Sequence, residues 1–182
     1  IQNRDKFSHK GTFGHALLIS GSYGKMGASV LASKACLRAG VGLLTSHIPK
    51  QGYQIIQNSV PESMTSIDSS ETVFSEVPDL SAFSAIGIGP GLDKKAETQL
   101  AIKALLQAKP SKLVVDADAL NILAENKDWL QLLPENAILT PHPKEFERLA
   151  GSSAGSFGRL QKQVQFSAKY KVVVLVKGAH TC

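Results

Sequence analysis

Ala16-Leu17-Leu18-Ile19-Ser20-Gly21-Ser22-Tyr23-Gly24-Lys25-Met26-Gly27 decides how the rest of the chain is read. Four consecutive apolar residues run into a glycine, as a strand buried on both faces does. Over 27–39, small and apolar residues recur at Ala28, Leu31, Ala32, Ala35 and Ala39, the spacing of one helix face. Gly40 and Gly42 stop that helix, and a second strand-like run, 41–48, follows at once.

The alternation returns further along. A strand at 85–88 enters Gly89-Pro90-Gly91, and an amphipathic helix at 94–108 stops before Pro110. A strand at 113–115 leads to Asp116-Ala117-Asp118 and a short helix, 119–124. A strand at 137–139 enters Thr140-Pro141-His142-Pro143 and a helix at 144–150. A helix at 157–170 and a strand at 172–176 close the pattern at Lys177-Gly178. Residues 50–80 break it: Pro61, Pro78 and a serine-rich stretch at 66–70 predict irregular chain with room for one edge strand. Continuous β-branched runs alternating with helices predict an α/β layered sandwich, a mostly parallel sheet with helices on both faces. No fixed repeat or linker divides the chain, so residues 1–182 read as a single domain.

Of 182 residues, 43% are hydrophobic, which suits one packed core and excludes a disordered tail. Lysine and arginine outnumber aspartate and glutamate by 20 to 15, for a net charge of +5, yet the longest basic run is Lys94-Lys95. Such scatter speaks against nucleic acid and suits phosphate-bearing small molecules equally well. Cys36 and Cys182 make neither a disulfide framework nor a metal-site spacing. The longest apolar run, 172–176, is far too short to span a membrane, and Ile1-Gln2-Asn3-Arg4-Asp5 has no apolar signal region. A reducing, cytoplasmic compartment is expected. Ile1 in place of methionine suggests a start partway into a longer chain.

In sheets of this kind ligands bind at the carboxyl ends of the strands, and the unusual residues sit there. The glycine turn at 21–27 opens a helix, where backbone can approach an anion; its spacing matches neither nucleotide fingerprint, and a plain tight turn explains it equally. Gly89-Pro90-Gly91 makes a rigid corner, for which a turn alone is the plainer reading. Asp116 and Asp118 could hold a divalent ion or move protons; Asp118 is better read as the cap of helix 119–124, and Asp116 stays open. His142, between two prolines, is a donor or proton carrier at a strand–helix junction, or a structural histidine. Lys177-Gly178-Ala179-His180-Thr181 combines a cation, a flexible residue and a hydroxyl, as a phosphate cradle would; a solvated strand end is the alternative.

In order and spacing, these segments resemble the ADP/ATP-dependent NAD(P)H-hydrate dehydratase family, a branch of the ribokinase-like superfamily. The resemblance is carried by His9-Lys10-Gly11-Thr12-Phe13-Gly14, residues 24–28, Arg38-Ala39-Gly40-Val41-Gly42, Gly89-Pro90-Gly91-Leu92, Asp116-Ala117-Asp118-Ala119-Leu120-Asn121, Leu139-Thr140-Pro141-His142-Pro143-Lys144-Glu145-Phe146 and Val176-Lys177-Gly178. It implies a ribokinase-like fold and the nucleotide-dependent dehydration of hydrated NADH or NADPH, a repair of nicotinamide cofactors. By resemblance Ala28, Ser29, Gly91 and His142 line the hydrated-cofactor site. Lys177, Gly178, Ala179, His180 and Thr181 bind ADP or ATP, with Mg2+ beside the nucleotide. The same resemblance implies a homo-oligomer, a tetramer, and an upstream epimerase domain joined through residues 1–6. The family's catalytic aspartate lies in a Gly-Thr-Gly-Asp segment that this sequence lacks, so no catalytic residue is assigned within it and the chain is expected to be truncated at its C-terminus. A ribokinase-like kinase for a small molecule such as a vitamin precursor, and a nucleotide-binding module without turnover, are the rival readings.

Overall fold

Among the described residues seven short segments become strands and pair in parallel throughout, in the order β3-β2-β1-β4-β5-β6-β7. They are β1 (His15–Ile19), β2 (Leu43–Ile48), β3 (Met64–Ile67), β4 (Ala85–Ile88), β5 (Leu113–Val115), β6 (Ile138–Leu139) and β7 (Val173–Val174). The helices are α1 (Met26–Arg38), α2 (Tyr53–Ser59), α3 (Ala96–Gln107), α4 (Ala117–Glu125), α5 (Pro143–Ala150) and α6 (Gly155–Tyr170). The computed structural model describes residues 6–179 and 181–182. Among these, no helix is long and apolar enough to cross a membrane.

Register sorts the two faces of the sheet. One face carries Leu17, Ile19, Ile86, Ile88, Leu113, Val115, Leu139 and Val174, all buried in one core with Leu105 of α3, Leu120 of α4, Phe146 of α5 and Phe166 of α6. The other face carries the paired row Leu18, Gly87, Val114, Ile138 and Val173, with Ser46 of β2 beside Leu18. Helix α1 covers this face at β2. Over β5 and β7 the same face stays open to water: Val114 is 37% and Val173 43% exposed. Helices therefore lie on both faces, as expected, but unequally.

Three details depart from the sequence reading. Residues 53–59 are helical where irregular chain was expected, because Ile56 anchors that turn against Met26 and Ile48 and tertiary packing overrides a weak local signal. The expected edge strand is there, as β3, and β7 is shorter than 172–176. On α1, the spacing of Ala28, Leu31, Ala32, Ala35 and Ala39 does not mark the sheet side: Leu31 is 72% exposed, and the fully buried residues are Met26, Ser29 and Ser33. Hydroxyls can fill that interface because they satisfy one another, Ser33 Oγ to Ser46 Oγ at 2.9 Å, Ser46 Oγ to Ser63 Oγ at 2.9 Å, and Ser20 Oγ donating to Ser29 Oγ at 2.8 Å. A scale that counts only apolar residues misses such a face.

Candidate functional site

Because every strand is parallel, all seven carboxyl ends share one edge, and the glycine turn at 21–27, Gly89-Pro90-Gly91, Asp116-Ala117-Asp118, Thr140-Pro141-His142-Pro143 and Lys177-Gly178 come to it, whereas residues 9–14 and 38–42 lie at the amino ends of β1 and β2. The chain leaves β1 toward β2 and β3 on one side, then returns to β1's other side as β4, so the reversal of order falls between β1 and β4. The two loops leaving that seam are tied together: Gly21 N donates to Pro90 O at 2.8 Å and Ser22 Oγ to Gly91 O at 2.8 Å. Gly91 has a left-handed φ of 68°, and a Cβ there would stand 2.9 Å from that of Ala28. Only glycine allows the corner to lie so near the first turn of α1. Beside it, Lys25 Nζ lies 3.5 Å from Asp118 Oδ2 and 3.9 Å from Asp93 Oδ2.

The ends of β5, β6 and β7 form the second half of the edge. Asp116 N donates to Ile88 O at 3.0 Å, Thr140 N to Val115 O at 3.1 Å, and Lys177 N to Pro141 O at 2.8 Å, so each loop is held by its neighbour. Lys177 Nζ meets Asp116 Oδ1 at 2.7 Å. A groove of about 590 Å³ opens beside β7, lined by Pro143, Phe157, Arg159, Gln163, Lys177 and Gly178 among others. Val176 N donates to Cys182 O at 2.9 Å, and Gln163 Nε2 donates to the same oxygen at 2.9 Å.

His142 is the N-cap of α5. Its Nδ1 accepts from Lys144 N at 3.2 Å and Glu145 N at 3.4 Å, while Glu145 Oε2 accepts from His142 N at 2.8 Å, a reciprocal capping box with Pro143 at the first helical position. An Nδ1 that accepts two backbone N–H groups leaves the neutral ring's proton on Nε2. That Nε2 lies 3.5 Å from Glu145 Oε1, on a ring whose side chain is 45% exposed.

A buried, hydrogen-bonded histidine–aspartate pair holds the loop behind the glycine turn. His47 and Asp68 are 2% and 1% exposed, with His47 Nε2 3.1 Å from Asp68 Oδ2. Asp68 also accepts from Ser70 N, Ser75 N and Ser75 Oγ at 2.8, 2.8 and 2.5 Å. Burial alone would raise its carboxyl; hydrogen bonds from His47, Ser75 and Ser70 outweigh that and hold it well below the usual carboxylate range. The pinned loop then supplies Thr72 O to Tyr23 N at 2.8 Å, fixing the glycine turn from behind.

Of the residues named from sequence, Ala28 and Gly91 are brought together at the β1/β4 seam. Ser29 is fully buried beneath them, in the helix and bonded to Ser20. His142 stands at the end of β6, two strands from Gly91, so a molecule touching both spans about 10 Å. Lys177, Gly178 and Ala179 line the β7 groove; Thr181 Oγ1 donates to Gly178 O at 3.3 Å, and His180 lies outside the described residues. The cap reading of Asp118 is corrected: α4 begins at Ala117, its N-cap is Asp116, and Asp118 instead accepts from Asp93 N at 3.0 Å. Ala117 itself takes a left-handed φ of 48°, and Asp118 falls inside the first turn. Lys25 was missed, although it sits in the glycine turn that drew notice; Arg159 and the His47–Asp68 pair had no signal. Among the described residues, no three histidine, cysteine, aspartate or glutamate side chains converge as a metal cage.

Comparison with known proteins agrees with this edge. A family profile described as NAD(P)H-hydrate dehydratase matches residues 16–182. The chain is 35% identical to a bifunctional NAD(P)H-hydrate repair enzyme of Moorella thermoacetica, covering 100% of this chain and 36% of that protein. It is 34% identical to an ADP-dependent (S)-NAD(P)H-hydrate dehydratase of Lactococcus lactis, covering 100% of this chain and 64% of the relative. Among solved structures, an ADP/ATP-dependent NAD(P)H-hydrate dehydratase of Bacillus subtilis, co-crystallised with ATP/Mg2+, superposes with a TM-score of 0.75 at 29% identity, covering 100% of this chain and 64% of that one. A ribokinase-like superfamily protein of Enterococcus faecalis gives 0.84 at 24% identity, a likeness of fold. The chain thus spans between about a third and two thirds of the length of these relatives. Matched over all but its first residues, with its glycine corner, capped histidine and β7 loop on one edge of a parallel sheet, the chain belongs to the NAD(P)H-hydrate dehydratase family.

Proposed function

We propose that the protein carrying this chain removes water from hydrated NADH or NADPH at the expense of ADP or ATP. The observation that carries the reading is that the glycine corner, where Gly91 packs on Ala28, and the groove of Lys177, Gly178 and Ala179 lie on one edge, with the Lys177 ammonium held on Asp116 at the end of β5. We assign the first, with Ser29 behind it and His142 across the edge, to the hydrated nicotinamide. The second, with His180 and Thr181, takes the adenine nucleotide.

In this scheme the substrate's ring hydroxyl attacks the terminal phosphorus, losing its proton, and the bond to the nucleotide's leaving oxygen breaks. Phosphate then leaves with the C–O electron pair, and loss of a proton from the neighbouring ring carbon restores the double bond. His142 Nε2–H donates to the substrate, and Lys177 neutralises phosphate charge. Among the described residues no carboxylate cage forms; Asp116 and Asp118 are the acidic residues on this edge that would hold a magnesium ion, which would supply further charge neutralisation. No Gly-Thr-Gly-Asp occurs in these 182 residues, and none of them is given the role of base.

We further take residues 1–182 as one domain, with the joining segment 1–6 largely outside the described residues, in a cytoplasmic homo-oligomer. The exposed Leu31 face of α1 supports an assembly, which the mass in solution would test. For the activity, the full-length protein is mixed with hydrated NADH, Mg2+ and ADP or ATP, and the return of NADH absorbance is followed. No conversion with either nucleotide would refute the reading; accumulation of a stable phosphorylated product would favour a kinase instead.

A further inference from the structure

Asp116 occupies the N-cap of α4, where an aspartate ordinarily turns its carboxylate onto the free N–H groups of the first turn. Here it makes no such bond. Its carboxylate reaches 61 residues along the chain to Lys177, Oδ1 to Nζ at 2.7 Å. The two residues follow β5 and β7, so the pair spans the end of β6, about 10 Å of sheet edge.

The backbone at both ends is built around this bridge. Asp116 N is fixed to Ile88 O, and Lys177 N to Pro141 O. A Cβ on Gly89 would stand 1.8 Å from Asp116 O, so only glycine admits the aspartate's backbone so close. Ala117 takes a left-handed φ of 48°, a conformation alanine adopts against its preference. Fold stability does not account for the arrangement. The partners are 46% and 33% exposed, and a solvated ion pair contributes no more than the cap that Asp116 forgoes.

We propose that Asp116 is a positioning residue for Lys177. It draws the ammonium inward from the β7 groove and holds it over the end of β6, where it meets the terminal phosphate of a bound nucleotide. An ammonium has three donors, so Lys177 can keep Asp116 while bonding two phosphate oxygens. This rests on the reading of residues 177–181 as the nucleotide loop.

The test titrates the full-length protein, with Mg2+, against ADP and against AMP, which lacks the terminal phosphate. Lys177→Met is expected to weaken ADP about tenfold or more and AMP less than about twofold. Asp116→Asn should reproduce that selective loss at about three- to tenfold, and the double variant should bind ADP no worse than Lys177→Met alone. Asp116→Ser, which can cap α4 but cannot hold the lysine, separates the two roles: it should melt at or above the wild type and leave ADP binding weak. Normal or tighter ADP binding by Asp116→Asn or Asp116→Ser, an equal loss for AMP, or additive effects in the double variant would each overturn the proposal. If Lys177→Met binds ADP like the wild type, the nucleotide-loop reading fails and this inference falls with it.

Discussion

Replacing Asp68 by asparagine changes one atom in a fully packed site, and the structure sets the size of the effect. Oδ1 accepts from Ser70 N and the Ser75 hydroxyl; Oδ2 accepts from Ser75 N, Glu76 N and His47 Nε2. An amide nitrogen at Oδ2 would face three donors. At Oδ1 it lets the Ser75 hydroxyl reverse but strands Ser70 N. The less costly orientation thus leaves one backbone donor unpaired and strips the charge from the remaining bonds. One stranded donor costs about 1–3 kcal/mol, and bonds to a neutral acceptor are each weaker by about 1 kcal/mol, partly offset by the charge no longer buried. We expect a net loss of about 3 kcal/mol, a fall in Tm of about 6–12 °C for a chain of this length. The loss should depend on pH. The folded carboxyl is held below its unfolded value, so its contribution is complete above the ordinary carboxylate pKa of about 4 and is lost as pH falls below it. Thermal melts by circular dichroism should show the gap between wild type and Asp68→Asn wide at pH 7 and narrowing below pH 4. A variant that melts within about 2 °C of wild type at pH 7, or acid limbs that stay parallel, would refute the reasoning.

His142→Ala should lose about 1 kcal/mol through the missing cap, and His142→Asn should recover it, because asparagine caps well; equal melting of both variants would contradict the capping role. In calorimetry on the full-length protein, His142→Ala should weaken hydrated-cofactor binding more than ADP binding, and Lys177→Ala the reverse, since the two residues end different strands; the opposite pattern would exchange the site assignments. Gly89→Ala should destabilise by at least about 3 kcal/mol, read as lost soluble yield or a lowered Tm, because its methyl would overlap Asp116 O. A stable Gly89→Ala protein would mean that the β4 and β5 ends do not meet as described.

The β-branched runs, the glycine corners and the proline-flanked histidine were legible because each states its conformation within a few residues. The strand at Ala16-Leu17-Leu18-Ile19 follows from composition alone, although only Leu17 and Ile19 are buried and Ala16 and Leu18 are half-covered; the capping of α5 follows from Pro143 and Glu145. What stayed hidden depends on partners far along the chain. Ser29 and Ser33 look like surface residues until Ser20 and Ser46 arrive to bond them. Asp116 looks like half of an acidic pair until β7 brings Lys177 across, and nothing near His47 announces Asp68. Helix α2 hangs on a single buried isoleucine, too little for any periodicity to reveal.

The parallel seam between β1 and β4 bears on how the molecule comes together. Its ladder continues in the bonds of Ser84 with His15, partners separated by 69 residues, whereas β1 and β2 are joined through one helix. Closing that loop costs about 1 kcal/mol more than closing the one between β1 and β2, so pairing within each half should precede pairing across the seam. The packing of Gly91 on Ala28 exists only once that last closure is made. Recovery of ligand binding during refolding would therefore trail recovery of helical signal.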